Sequence, residues 1–192
     1  IDAFAMGVEE VNPDAKVLVA VTNSWFSPDD EQAASDALID KGCDVLAQHV
    51  DTTAPQTASE ENGTWAIGYN SDMSKETPDA TLTSVIWNWS AYYTSYVNSI
   101  VNATYDGSNY YGGMDESLVG LTGLSSLCED GTQEKVNEMQ QKILSGEFGV
   151  FDGEILTNDG TVIGEEGKTL DDATITGKIN WYYHNVEVVD WK

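Results

Sequence analysis

Short apolar runs alternate with helical segments through the first half of the chain, and this order restricts the folds that the sequence can adopt. Residues 17–21, 45–50 and 64–67 have the length and composition of buried strands. Helical segments lie between them, with proline near their starts and glycine at their ends. Strands that alternate with helices of this length form βαβ units. We therefore predict an α/β fold with a mainly parallel sheet flanked by helices, in a three-layer α/β/α arrangement.

The periodicity of apolar residues and the turn signals also define the rest of the chain. The predicted elements outside the three strands are helices at residues 1–11, 27–41 and 55–62, a strand at 82–86, a helix at 91–105, a short strand at 118–121, a helix at 132–145, and a hairpin of 154–156 with 161–163. The helix at 91–105 has an unusually aromatic face that includes Tyr92, Tyr93 and Tyr96. It is either a core helix or a helix that docks on a lobe absent from this chain.

Charge restricts the class of ligand. The net charge is -25, from 33 acidic residues against 8 basic ones, and every basic residue is lysine. Such a surface repels nucleic acid and anionic lipid. The absence of arginine removes the side chain best suited to bidentate capture of phosphate or carboxylate. We therefore expect a neutral ligand and no nucleic-acid partner.

Apolar run length, cysteine spacing and the first helix restrict the architecture further. No apolar run reaches the length of a membrane helix, and Cys43 and Cys128 fit no metal-binding spacing. We predict neither a metal nor a cofactor. Ile1, Phe4 and Val8 lie on one face of the first helix, so the chain opens on a helix without its preceding strand. We expect it to be a fragment of a longer protein.

Polar and aromatic residues follow the predicted strands at the point where each strand ends. In open α/β sheets, ligands bind outside the carboxyl ends of the strands. We therefore expect four strand ends, those of the runs at 17–21, 45–50, 64–67 and 82–86, to converge on one site. The candidate ligand-binding residues are Asn23, Trp25, Phe26, Asp51, Asn70, Asp72, Trp87, Asn88 and Trp89.

These residue types suit a planar, polar ligand. The indoles of Trp25, Trp87 and Trp89 could stack on a ring, although each could instead fill a gap at the sheet edge. Asn70 and Asn88 can both donate and accept hydrogen bonds, which suits a purine edge. The two carboxylates have plainer alternatives as well: Asp51 could cap the helix behind it, and Asp72 could be a solvated turn residue.

An enzymatic alternative uses the same groups. Asp51 and Asp72 could act as the acid and base of a glycosidase, and His49 could act as a general base. A histidine at a strand end is also often a hydrogen-bonded scaffold residue. The sequence contains no Gly-x-Ser-x-Gly, Gly-x-Gly-x-x-Gly or P-loop pattern, so we favour binding over catalysis.

Four segments carry a resemblance to a known family. They are residues 11–15 (VNPDA), 22–26 (TNSWF), 68–73 (GYNSDM) and 82–89 (LTSVIWNW). Together they resemble the basic membrane protein family of bacterial ABC-transporter substrate-binding lipoproteins, the purine nucleoside receptor-like group. The resemblance is close over residues 1–113 and looser beyond. It implies a two-lobed fold, like that of type I periplasmic binding proteins, that holds a purine between its lobes.

The resemblance also implies a division of the chain. Residues 1–89 correspond to the second, Rossmann-like lobe, residues 90–112 to a crossover helix that packs with the missing first lobe, and residues 113–192 to a return segment. Without the first lobe, the tyrosines of the crossover helix would be exposed, so the fragment could self-associate. The implied partners are ABC permease subunits, and the implied location is extracytoplasmic, with a lipid anchor outside this chain.

The resemblance finally implies a ligand. Nucleoside-binding relatives have an aspartate at the position of Asn70 and a lysine at that of Trp87, and these two groups hold the ribose. Their loss here favours a free base such as adenine over a nucleoside, which remains the alternative. Trp25 matches the aromatic residue that stacks on the base.

Overall fold

A computed structural model of the protein describes residues 1–192. The chain forms two compact units. One consists of Ile1–Val21 with Glu134–Lys192, and the other of Thr22–Gln133. The predicted division at residues 89 and 112 concerns the lobes of a longer protein rather than these units, and it stays a prediction.

Helices and strands alternate over residues 2–70, as predicted. In chain order the elements are α1 (Asp2–Val11), β1 (Val17–Val19), α2 (Pro28–Asp40), β2 (Val45–Ala47), α3 (Ala54–Asn62), β3 (Trp65–Asn70), β4 (Thr81–Trp87), α4 (Trp89–Val101), β5 (Val119–Leu121), α5 (Thr132–Ser145), β6 (Asp152–Leu156), β7 (Val162–Thr169), α6 (Asp172–Gly177) and β8 (Val186–Val188). None of the helices combines the length and apolar character that crossing a membrane requires.

The unit of Thr22–Gln133 is built on a four-stranded sheet. Its strand order is β2-β3-β4-β5, and β2, β3 and β4 are parallel while β5 runs antiparallel to β4. Helix α3 packs on β2 and β3, and α2 packs on α3. The predicted α/β class with a mainly parallel sheet flanked by helices is confirmed.

The unit of Ile1–Val21 and Glu134–Lys192 contains two smaller sheets. Strand β1 pairs in parallel with β8, and β6 pairs with β7 as the predicted hairpin. Ala5, Val19 and Val186 form a buried cluster there. Strand β1 is therefore not part of the four-stranded sheet, because it hydrogen-bonds to a strand from the far end of the chain. The predicted convergence of the β1 end with three other strand ends on one site stays a prediction.

Local signals explain the start of α2 and the end of α3. Pro28 occupies the first turn of α2, where its missing N–H costs no hydrogen bond. Helix α3 ends at Gly63, which adopts a left-handed conformation with φ 67°. That conformation is easily reached by glycine and closes the helix through N–H groups that return to its last carbonyls.

The aromatic helix α4 has no buried residue. The interpretation of this segment as a core helix is therefore wrong. Its exposed large side chains include Trp89, Tyr93, Val97 and Val101, and the tyrosine rings along it contact one another, with Tyr92 and Tyr96 centroids 5.7 Å apart. The alternatives, that this face docks on a lobe outside the chain or drives self-association, stay predictions.

Candidate ligand-binding site

The carboxyl ends of three parallel strands meet at one edge of the larger sheet. Asn70, the last residue of β3, pairs with Ile86 of β4, so that Trp87 is the next residue along the neighbouring strand. The segment that follows β2 lies on the other side of β3. This arrangement puts the turns that carry Asp51, Asn70 and Asn88 at the same edge.

A row of three aromatic rings crosses this edge. The His49 ring lies edge-on to Trp25, with centroids 5.2 Å apart, and edge-on to Tyr69, with centroids 4.7 Å apart. We call this set the aromatic row. Trp25 is among the candidates predicted from the sequence, whereas Tyr69 is not, although its position two residues after the predicted strand at 64–67 was a usable signal.

The loop that carries Trp25 is fastened to the turn after β2. The backbone N–H of Asp51 donates to the Trp25 carbonyl oxygen at 2.9 Å. Glu31 in the first turn of α2 is 1% exposed, and its carboxylate accepts from the Ser27 N–H at 2.9 Å and from the Thr52 hydroxyl. Glu31 therefore hydrogen-bonds to both loops and holds them close together.

Sequence reasoning did not find this role of Glu31. It assigned the acidic residues at the start of α2 to the helix dipole. Asp29 is exposed and fits that description, whereas Glu31 is buried. Only the fold, which brings Thr52 to Glu31, distinguishes the two.

Replacing Glu31 by alanine is expected to lower the free energy of unfolding by about 1–3 kcal/mol. The substitution leaves the partly buried Ser27 N–H and Thr52 hydroxyl without an acceptor. Urea unfolding would measure the loss. Asp36→Ala is the matched control, because Asp36 is an exposed acid on the same helix and its loss should cost less than about 0.5 kcal/mol. Equal stability of the two variants would contradict this role.

The turn after β3 is held by a close approach of its backbone to the Ser84 side chain. The Met73 N–H donates to the buried Ser84 hydroxyl at 3.2 Å. A Cβ added to Gly68 would lie 2.3 Å from that hydroxyl oxygen, so only glycine fits without a shift. Asn70 follows with φ 68° and is exposed. The tight packing thereby fixes the segment that presents the Asn70 side chain.

The two candidate carboxylates differ in their surroundings. Asp72 is exposed, and its carboxylate accepts from the hydroxyl of Ser74 at 2.6 Å and from its N–H at 3.1 Å. These hydrogen bonds hold the pKa of Asp72 below its usual range. Asp51 does not cap α3, because the N-cap position is Thr53; the capping interpretation is wrong, and the Asp51 side chain lies exposed.

The remaining candidates form a second group after β4. The rings of Trp87 and Trp89 are stacked, with centroids 5.8 Å apart and an interplanar angle of 28°. Asn88 donates from its side-chain amide to the Ser117 carbonyl at 3.2 Å and accepts from the Ser90 hydroxyl. Part of the hydrogen-bonding capacity of Asn88 is therefore used within the protein, whereas Trp89 is half exposed.

The loop after β1 presents its candidates to solvent. Trp25 is 61% exposed and Phe26 is 70% exposed. Asn23 is also exposed, and its φ of 56° places it in the left-handed region that asparagine tolerates better than most residues. A shelf of this kind can contact a flat ligand on one side only. Together the observations describe an open surface rather than an enclosed pocket, and the assignment of these residues to a ligand stays a prediction.

Two solved structures of solute-binding proteins share the fold of this chain. A solute-binding protein of an ABC transporter system from Conexibacter woesei covers 74% of this chain with a TM-score of 0.59 and 21% identity, and the match spans 49% of that protein. A second one, from Aeropyrum pernix, covers 76% of this chain with a TM-score of 0.54 and 12% identity, and spans 60% of that protein. At these identities the likeness establishes the fold alone.

The sequence itself establishes the family. Residues 1–153 match the family described as ABC transporter substrate-binding protein, PnrA-like. The chain belongs to this family, and the resemblance stated from its motifs is confirmed. Members are substrate-binding proteins of ABC transporters.

Two relatives carry names that point to ligands. A purine-binding protein of Brucella abortus is 36% identical over 187 residues. A protein of Haloferax volcanii, provisionally named as an ABC transporter glucose-binding protein, is 33% identical over 153 residues. The two matches include 97% and 80% of this chain but only 53% and 39% of the relatives' own lengths. The chain therefore spans about half the length of these relatives.

Proposed function

We propose that this chain is part of an extracytoplasmic receptor that captures a purine base and delivers it to the permease of an ABC importer. The observation that carries the proposal is the aromatic row at the carboxyl edge of the sheet, where Trp25 packs on His49 and is still largely exposed to solvent. An exposed indole beside polar groups suits a flat heterocycle. The identity to a purine-binding protein of Brucella abortus supports the same ligand class.

A free base such as adenine fits this chain better than a nucleoside. The resemblance implies that nucleoside-binding relatives hold the ribose with the residues at the positions of Asn70 and Trp87. Neither side chain is charged, and the Trp87 ring is stacked on Trp89, so that an indole occupies the region where a sugar would lie. The binding residues in this proposal are Asn23, Trp25, Phe26, Asp51, Asn70, Asp72, Trp87, Asn88 and Trp89.

A sugar is the second candidate ligand, because one relative carries a glucose-binding name. Indole rings also serve as platforms for sugars, and exposed Asp51 could accept from sugar hydroxyls. The net charge of -25 is compatible with either neutral ligand. The aromatic row does not discriminate between them by itself.

Binding without chemistry is part of the proposal. A glycosidase needs one carboxyl group that stays protonated near neutral pH, and therefore one with a raised pKa. The pKa of Asp72 is instead lowered by the Ser74 hydroxyl. Incubation of the full-length protein with purine nucleosides should return them unchanged, as chromatography would show. Release of free base would contradict the proposal.

The ligand class can be tested on the full-length protein as purified. Native mass spectrometry should reveal a bound mass equal to that of adenine or a closely related base. Calorimetric titration of ligand-free protein with adenine, adenosine and D-glucose would then rank the candidates. The proposal expects adenine to bind most tightly, and a preference for D-glucose would overturn it.

The membrane anchor stays part of the proposal as well. The family implies a receptor that works beside a permease, and a lipid anchor outside residues 1–192 would keep it there. Metabolic labelling of cells with a radioactive fatty acid, followed by capture of the full-length protein, would test for the lipid. An unlabelled protein in the membrane-free fraction would contradict the anchor.

A further inference from the structure

His49 is an exposed histidine with an unusual environment. It follows β2 at the ligand-facing edge of the sheet, and its ring lies between Trp25 and Tyr69. Neither of its ring nitrogens has a hydrogen-bond partner among the described residues, in contrast to His184, whose Nε2 lies 2.9 Å from a Glu9 carboxylate oxygen. The description of His49 as a hydrogen-bonded scaffold residue is therefore wrong.

The backbone around His49 is fixed even though its ring nitrogens are free. The side-chain amide of Gln48 donates to the carbonyls of Val50 and Thr52, both at 2.8 Å. Thr52 is in turn bound to buried Glu31. Ring packing on both sides restricts the imidazole itself. A polar group that is held in place but left without a partner is preorganised for a ligand.

The chemistry of the imidazole matches the proposed ligand. A neutral histidine offers one donor and one acceptor, and a purine edge presents donors and acceptors side by side. Trp25 and Tyr69 can contact the face of a base but offer few polar groups. The row would therefore supply stacking from its outer rings and a directional hydrogen bond from its central ring.

We propose that His49 is a ligand-binding residue that recognises the polar edge of a purine through a ring nitrogen. The identification of the ligand as a purine rests on the proposed function. The contact between His49 and a bound ligand does not. A hydrogen bond of this kind contributes enough affinity to be measured and adds a preference for ligands with a matching edge.

Three variants of the full-length protein separate the hydrogen bond from ring packing. His49→Phe keeps a ring between Trp25 and Tyr69 but has no nitrogen, and should weaken adenine binding about tenfold. His49→Gln keeps a donor and an acceptor and should lose less. His184→Phe is the control at the other histidine, remote in sequence from the sheet edge, and should bind adenine as the wild type does.

Nuclear magnetic resonance of the wild-type protein provides a test that does not depend on any variant's folding. Adenine should shift the imidazole ¹⁵N signals of His49, assigned through the His49→Phe spectrum, and leave those of His184 in place. Unchanged His49 signals at saturating adenine, or equal affinity of wild type and His49→Phe, would overturn the inference.

The same measurements distinguish failure of this inference from failure of the proposed function. If the wild type binds D-glucose instead of adenine, the purine proposal fails, and the same variants titrated with D-glucose still test the His49 contact. If adenine binds equally well to all variants, the purine proposal stands and the His49 assignment fails.

Discussion

Replacing Trp25 by alanine is expected to weaken adenine binding to the full-length protein by about 1–3 kcal/mol, the usual contribution of one base-stacking ring. This loss corresponds to roughly a 5- to 150-fold increase in the dissociation constant. The reason is that Trp25 is 61% exposed at the sheet edge, so its ring face is free for a ligand. Removal also exposes one side of His49, which packs on it.

Two further variants make the Trp25 prediction specific. Trp25→Phe keeps a smaller ring and should retain much of the affinity. Trp65→Ala is the matched control, because Trp65 is a partly exposed indole at the start of β3, at the end of the strand opposite the candidate site. Calorimetry should find adenine affinity unchanged in this control. An unchanged dissociation constant for Trp25→Ala would remove Trp25 from the site.

Elements that depend on neighbouring residues could be predicted from the sequence. The start of α2 at Pro28 and the end of α3 at Gly63 follow from backbone preferences that act within one turn. The alternation of strands and helices then gives the α/β class and the common edge where parallel strands end. For this reason the positions of Asn70 and Trp87 on neighbouring strands could be expected before the fold was known.

Features that depend on distant parts of the chain could not be predicted in the same way. Strand β1 pairs with β8, about the whole length of the chain away, and β8 has only three residues. No periodic pattern is visible over so short a run. The bond between Glu31 and Thr52 is of the same kind, because it depends on how α2 meets the turn after β2.

Exposure was the property that sequence patterns described least well. The apolar face of α4 is typical of a core helix, yet the structure leaves it uncovered. His49 shows the opposite difference. Its position at a strand end suggested a hydrogen-bonded scaffold residue, whereas its ring nitrogens have no hydrogen-bond partner in the structure. In both cases the sequence pattern identifies which side chains can be buried or hydrogen-bonded. Whether they are buried or bonded depends on a partner that the pattern does not identify.

The double variant Asn70→Asp with Trp87→Lys is expected to shift the preference of the full-length protein from adenine toward adenosine. The resemblance implies that nucleoside-binding relatives hold the ribose with an aspartate and a lysine at these positions. Each charge-assisted hydrogen bond to a ribose hydroxyl would contribute about 1.5–3 kcal/mol. The ratio of the two affinities should therefore change by roughly 10-fold or more.

The structure indicates that both substitutions can be accommodated. Asn70 has φ 68°, and aspartate tolerates this left-handed conformation nearly as well as asparagine. Trp87→Lys gives up the stacking on Trp89, which costs about 0.5–1.5 kcal/mol of stability, but it opens space where the sugar would lie. The new carboxylate and ammonium would stand on neighbouring strands and stabilise each other.

The single variants show whether the two charges act together on the sugar. Asn70→Asp alone adds another negative charge to an already acidic surface and should gain little affinity for adenosine, and Trp87→Lys alone should lose affinity for adenine without a matching gain. Only the pair forms a complete clamp, so the change in the double variant should exceed the sum of the single changes. Calorimetric titration of all three variants with adenine and adenosine measures this. If the ratio of affinities stays at the wild-type value in the double variant, the ribose does not lie between these positions.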